Sequence, residues 1–291
     1  MAGRIVVGVD ESVGARSALS WAAEECQLRD DTLLLVHVSR PDRWLNRYGD
    51  AGARAGDTLG SMLLDELAFG VRLRFPDLPL DLLLGHGDPA DTLLDLSAMA
   101  DLLVVGTTGS GSNLLSLIGS VSSRVAAQAH CPVVVVPERR VLTAVPRDPA
   151  TVVVGVSDTA AGAAALRFAF AEAHRRGLGV TAVRGSAGGS ADELPRLDLA
   201  DYTSQFPDVP VTPLALRVEP AEAVLQAARN AELVVVGAHH SDNRWSSRLG
   251  PVPQTVLHNT NCPVVVIGTP RRHPAPPGET LRPPAESAPS G

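Results

Sequence analysis

Short, unbroken apolar runs recur along the chain, and the stretches between them carry apolar residues every three or four positions. In the first half the runs are Arg4–Val9, Thr32–Val38, Leu80–Leu84, Leu102–Val105 and Val133–Val136. Continuous rather than alternating, they read as strands buried on both faces of a parallel sheet. Ala15, Ala18, Leu19, Ala22 and Cys26 form a helical stripe that Ser12 is placed to cap. Leu59, Met62, Leu63 and Leu67 mark a helical stretch near Thr58–Phe69. Asp88 as N-cap with Pro89 at the first helical position starts a helix over Ala90–Ala100. The predicted order is β-α-β-α-β-α-β-α-β, an α/β fold with a parallel, doubly wound sheet.

The pattern then repeats. Thr151-Val-Val-Val-Gly155-Val156-Ser157 resembles Arg4-Ile-Val-Val-Gly8-Val9-Asp10 at an offset of 147 positions. Phe206–Pro210 matches Phe75–Pro79 at an offset of 131, as Glu219-Pro220-Ala221 matches Asp88-Pro89-Ala90 and Cys262-Pro263 matches Cys131-Pro132. The second copy therefore lacks 16 residues between its second and third strands. The division expected is a first domain over 1–138, a linker over 139–150, a second domain over 151–268 and a tail over 269–291. Proline-rich and poor in apolar residues, that tail is expected to be disordered.

One stretch, Asp101 to Pro137, concentrates the candidate chemistry. Its strand ends at Gly106-Thr107-Thr108-Gly109, nine residues follow, and Gly119-Ser120 opens a helical pattern. Glycines at a strand's C-terminal end let the backbone turn sharply and present its N–H groups. A helix N-terminus just beyond adds a partial positive charge and more free donors. Such a loop can cradle a phosphate; it can also be a tight connection that binds nothing.

Composition narrows the field. The 291 residues are 45% hydrophobic but only 3% aromatic, so the cores must be built from Val, Leu and Ala. Net charge is −7, and all 25 basic residues are Arg. An acidic chain without a long basic cluster argues against nucleic acid as a partner. Without Lys there is no Gly-x4-Gly-Lys-[Ser/Thr] loop, which excludes a P-loop NTPase. Three cysteines fit neither a disulfide framework nor a zinc pattern. No apolar run is long enough to span a bilayer and the N-terminus does not resemble a signal peptide, so the chain reads as cytoplasmic.

Gly8-Val9-Asp10 after the first strand, Gly87-Asp88-Pro89 before the third helix, the spacing Gly106-x2-Gly109-x9-Gly119-Ser120 and the Cys131-Pro132 strand together resemble the universal stress proteins, in their tandem actinobacterial form. The resemblance implies two flavodoxin-like or Rossmann-like open sheets of five strands in order 3-2-1-4-5. Their fifth strands would associate within the chain, or in a homodimer of tandem chains. It implies ATP as ligand, with or without Mg. Gly8 and Asp10 would lie beside ribose, adenine or a metal, and the backbone at Val38 would edge the adenine. The amides of Gly106, Thr107, Thr108, Gly109, Ser110, Gly111 and Ser112 would wrap the phosphates, with Gly119 and Ser120 closing over them. For Asp10 the competing reading is a cap on the first helix. The function implied is a nucleotide-dependent regulator of stress or dormancy acting on an unidentified protein partner. A nucleotide-independent scaffold and a slow ATP hydrolase are the alternatives.

The second copy departs from this pattern. Ser157 stands for Asp10, Gly185 for Val38, His240 for Gly109 and Pro251 for Ser120. Pro251 removes an N–H and a hydroxyl, so the second repeat is expected to bind nucleotide weakly or not at all. His239 and His240 have no evident third partner for a metal, and His86 reads as an exposed loop residue. Cys26, Cys131 and Cys262 read as small apolar packing. Arg124, one turn beyond Ser120, either reaches a phosphate or lies on a solvated face.

Overall fold

The computed structural model describes residues 2–39, 50–107, 118–138, 150–187, 199–238 and 249–268. The first repeat runs β1 (Arg4–Val9), α1 (Val13–Arg29), β2 (Thr32–Ser39), α2 (Asp50–Arg74), β3 (Leu80–His86), α3 (Pro89–Leu96), β4 (Leu102–Gly106), α4 (Ser120–Gln128) and β5 (Val133–Val136). The second runs β6 (Thr151–Gly155), α5 (Ala160–Arg176), β7 (Gly179–Gly185), α6 (Ala200–Gln205), β8 (Val211–Leu216), α7 (Pro220–Ala227), β9 (Ala231–Gly237), α8 (Pro251–Asn259) and β10 (Val264–Ile267). The expected linker and tail lie almost wholly outside the described residues.

Several boundaries differ from the sequence reading; β2 and β4 each run one residue further, to Ser39 and Gly106. The second helix is far longer than Thr58–Phe69, because its Ala- and Gly-rich first turns display no apolar stripe to read. The third helix stops at Leu96, short of Ala100. Ser97 Oγ donates to the Leu94 carbonyl at 2.6 Å and accepts from His130 N at 3.0 Å, drawing the chain out of the helix. Strand β3 continues to His86 because β2 pairs with it as far as Ser39.

Each repeat has the strand order 3-2-1-4-5, and the two are continuous in one ten-stranded sheet, β3-β2-β1-β4-β5-β10-β9-β6-β7-β8. The pairings within each repeat are parallel, and at the seam β5 and β10 run antiparallel. Val134 pairs with Val265, its own counterpart at the 131-residue offset, so a pseudo-twofold axis passes through that pair. The side chains of β5 and β10 alternate between two cores. One core lies under α1, α2, α5 and α6, and the other under α3, α4, α7 and α8. Pro213 in β8 and the exposed Asp81 in β3 sit on the two edge strands, where such residues discourage pairing with another sheet. The three cysteines are buried and joined in no disulfide, as expected of packing residues, and burial pushes the Cys131 thiol up to about 12.

Across the seam, α1 meets α5 through a buried ion quartet. Glu25 and Glu172 are counterparts, as are Arg29 and Arg176. Arg29 bonds Glu25 within its own helix and Glu172 across the seam, both at 2.5 Å. Arg176 does the reverse, bonding Glu172 in its helix at 3.3 Å and Glu25 across. Arg29 lies over the Phe168 ring and Arg176 over the Trp21 ring, each at 5.6 Å from the centroid. The symmetry breaks at Arg175, a third cation on Glu172 whose counterpart is the exposed Leu28. Burial raises the pKa of both carboxylates. On Glu172 the three arginines outweigh it and hold the pKa below the ordinary value. On Glu25, burial and the Glu172 charge outweigh Arg176 and Arg29 and hold it above.

Candidate functional site

The C-terminal ends of β1, β2 and β4 come together where strand order reverses between β1 and β4, the usual ligand crevice of an open α/β sheet. Gly8, Asp10, Val38, Gly106, Thr107, Gly119 and Ser120 are all gathered there. Thr108, Gly109, Ser110, Gly111 and Ser112 lie outside the described residues, as do His239 and His240.

Small residues let the walls approach. At Gly106 a Cβ would sit 2.6 Å from the carbonyl carbon and oxygen of Gly14, so the end of β4 touches the backbone of α1's first turn. Over Gly8 lies the Leu93 side chain of α3. Val38 packs with Ala90 and Leu93 in the core under α3. One residue earlier, His37 faces the opposite side and donates from Nδ1 to the Val9 carbonyl at 2.9 Å. Asp10 Oδ1 accepts from Ser12 N at 3.0 Å, and Ser12 Oγ in turn accepts from Ala15 N at 3.1 Å as the N-cap of α1. The cap of α1 is therefore Ser12, as expected, and Asp10 holds the N–H of that cap residue rather than a first-turn donor.

Beyond β4 the chain leaves and returns through one point. Thr107 N donates to Val136 O at 3.0 Å, and Thr107 O accepts from Gly119 N at 2.6 Å. Ser122 Oγ donates to Gly106 O at 2.6 Å, locking the start of α4 to the end of β4. The N-cap of α4 is Gly119, which has no side chain to satisfy the first-turn donors. Among the described residues no side chain caps the N–H groups of Ser120, Val121 and Ser122, and Ser120 is exposed. Such a first turn fits an anion.

Arg124, one turn on, is committed elsewhere. It pairs with Asp88 at 3.1 Å and with Asp91, tying α4 to the first turn of α3. Asp88 also accepts from Ala90 N and Asp91 N as N-cap, after Gly87 at φ +101°. His86 is at the end of β3 rather than in a loop, exposed, with Nε2 2.9 Å from Asp57 Oδ1. Ser120 opens onto a cleft of about 350 Å³ between α4 and α8, lined also by Ile118, Arg124, Leu249, Gln254 and His258. Among the described residues no group of His, Cys, Asp or Glu has the arrangement of a metal site, and no helix is long and apolar enough to cross a membrane.

The same place in the second repeat is built differently. Gly250 caps α8 as Gly119 caps α4, but the first turn reads Pro251-Val252-Pro253. Two of the three donors are gone. Sequence reasoning named Pro251 and missed Pro253, which also replaces the Ser122 hydroxyl; the signal was Pro-Val-Pro in register with Ser-Val-Ser. At Gly185, the counterpart of Val38, a Cβ would lie 2.7 Å from Pro220 Cα and 2.9 Å from Pro220 N. The first turn of α7 thus rests on the end of β7.

A model described as the universal stress protein family matches residues 1–137 and again 150–268. The chain belongs to the universal stress protein family. A universal stress protein of Mycobacterium tuberculosis is 32% identical over 285 residues, covering 90% of this chain and 95% of the relative. A second from the same organism is 31% identical over 288 residues, covering 90% and 96%. Among solved structures, a universal stress protein from Archaeoglobus fulgidus superposes with a TM-score of 0.74 at 17% identity, covering 91% of this chain and 96% of that one. That likeness shows the fold. In this universal stress protein both repeats keep the family's frame, and they differ at the strand ends.

Proposed function

We propose that this universal stress protein binds one ATP per chain, in the first repeat, and that occupancy regulates an assembly or partner contact. The observation that carries the reading is the first turn of α4, which has no side-chain cap among the described residues and sets three N–H donors and the exposed Ser120 hydroxyl beside Gly106 and Thr107. Asp10 follows β1 at the same crevice, and Val38 lies one residue before the end of β2 with its backbone beside β1. With ATP bound, Gly106, Thr107, Gly119 and Ser120 would hold the phosphates, and Asp10 and Val38 the nucleoside. Mg would serve to neutralise phosphate charge. Regulation is favoured over hydrolysis because Arg124, the arginine one turn beyond Ser120, is engaged by Asp88 and Asp91.

Isothermal titration with ATP–Mg tests this directly: one site per chain is expected. Two equivalent sites would sink the inequality between repeats. No heat and no thermal shift at millimolar ATP would leave the nucleotide-independent scaffold as the better reading.

A further inference from the structure

We propose that the outer face of α2 is a homodimer interface, packing antiparallel against α2 of a second copy of this chain. Leu59, Met62, Phe69 and Leu73 are exposed by 61, 63, 63 and 70%. With Glu66 between them they follow one another at steps of three and four residues, the spacing of a coiled-coil seam about 21 Å long. The opposite side of the same helix is buried through Leu64, Leu67, Ala68 and Val71. The stripe is therefore a second apolar face, separate from the one that the sheet covers. Glu66 does not interrupt it, because Arg16 of α1 draws its carboxylate aside at 3.0 Å. Beside Phe69, a Cβ added at Gly70 would meet nothing within 4 Å, which leaves room for a close helix.

Three observations select a second copy as the occupant. First, the flanking charges are self-complementary. Asp65 and Arg72 lie two turns apart along one side of the stripe. An antiparallel pair brings Asp65 of each copy to Arg72 of the other, twice by symmetry, whereas a parallel pair sets like charges level. The same register stacks Met62 on Leu73 and Phe69 on the stem of Glu66. Second, the four side chains expose on the order of 500 Å², at the upper end of what a monomer leaves bare. A standard interface buries about 800 Å² per partner, which the polar flanks of α2 and the neighbouring Arg16 bring within reach. Third, the feature belongs to the first repeat alone. The corresponding α6 has six residues, and every exposed large hydrophobic among the described residues lies between Val13 and Met99. The dimer joins first repeat to first repeat and leaves the α4 cleft on the other face of the sheet free.

Sedimentation equilibrium of the full chain over about 1–200 µM, the range in which interfaces of this size associate, tests the proposal. The wild type is expected to dimerise reversibly, and Leu73→Glu to remain monomeric. Asp65→Arg should weaken the dimer at least tenfold, and the Asp65→Arg/Arg72→Asp double variant should recover it to within about threefold. All these positions are exposed, so unchanged thermal unfolding checks the fold, and the charge swap decides the matter even if Leu73→Glu misfolds. A wild type that stays monomeric throughout, a dimer indifferent to these variants, or a charge swap without recovery would each overturn the assignment.

Discussion

In the first repeat α3 starts from a left-handed glycine, Gly87, and an aspartate cap, Asp88; in the second, Val218 and Glu219 occupy those places. Glu219 makes no capping bond, and α7 comes down on the end of β7, where Gly185 lets Pro220 approach. At the neighbouring helix the contrast is one of donors. Among the described residues the first turn of α4 has three N–H groups and no side-chain cap, while that of α8 has two prolines and a single N–H group. A helix start with unsatisfied donors is a cost unless water or a ligand meets them. Proline removes that cost together with the donors. The second repeat thus keeps the frame that forms the β5–β10 seam and differs at its own strand ends in two places.

The largest expected effect comes from moving the prolines into the first repeat. Ser120→Pro/Ser122→Pro gives α4 the first turn of α8. Two charge-assisted bonds at about 1.5–3 kcal/mol each make a loss of about 3–6 kcal/mol in ATP binding, or roughly 10²–10⁴-fold. Titration of the double variant reads the loss, and Ser122→Ala separates the part owed to the bond with Gly106. The reverse exchange, Pro251→Ser/Pro253→Ser, is expected to gain no ATP site because Pro220 still covers the end of β7. A second site appearing in that variant would show that the prolines alone distinguish the repeats.

The ion quartet contrasts the repeats in charge. Glu172 faces three arginines and Glu25 two, so the pair gives up its protons in separate steps, Glu172 first. The folded pKa of Glu172 lies below its ordinary value of 4.5, so its contribution is full above that value and is lost as pH falls through the folded one. For Glu25 the folded pKa lies above 4.5, so its contribution is full below that value and is lost as pH rises through the folded one. At pH 7, Glu172→Gln is expected to cost about 3–5 kcal/mol, as for any broken buried pair. Glu25→Gln, a mimic of the protonated form that the fold favours, is expected to cost nothing or to stabilise. Urea unfolding checks both, and wild type and Glu25→Gln should converge in stability as pH falls toward the ordinary carboxylate range. Equal losses at pH 7 would mean that Arg175 does not break the symmetry.

Most of the frame was legible because strands buried on both faces are short and uniformly apolar. The offsets of 147 and 131 then aligned the repeats residue by residue, and the observed strand pairing keeps that alignment from Thr32 with Arg4 to Gly179 with Thr151. The glycine spacing marks the end of β4, which lies where the strand order reverses. Features that depend on two distant segments were not legible. Glu25 and Arg29, like Glu172 and Arg176, stand four residues apart in one helix, and nothing in that spacing shows that the seam turns α1 toward α5. Arg124 has the right residue type and spacing for a phosphate, yet Asp88 and Asp91 claim it. The contact between Gly185 and Pro220 was the least accessible, because a glycine at the end of a strand gives no hint of which helix needs the space.

That contact supports the smallest of these tests and bears most directly on whether the fold itself closes the second crevice. Val38 is accommodated in the first repeat because α3 is shared between β2 and β3, whereas α7 leans mainly on β7. In Gly185→Val the new Cβ would lie 2.7 Å from a backbone carbon of Pro220, not from the end of a flexible side chain. Either α7 moves or the strand end does, and overpacking of this kind costs about 1–3 kcal/mol. Urea unfolding should register that loss, and hydrogen exchange should place it in faster opening of the α7 amides with β6 and β9 unchanged. A variant as stable as wild type, with α7 protected as before, would mean that the helix yields easily. The crevice of the second repeat would then be closed by its prolines alone.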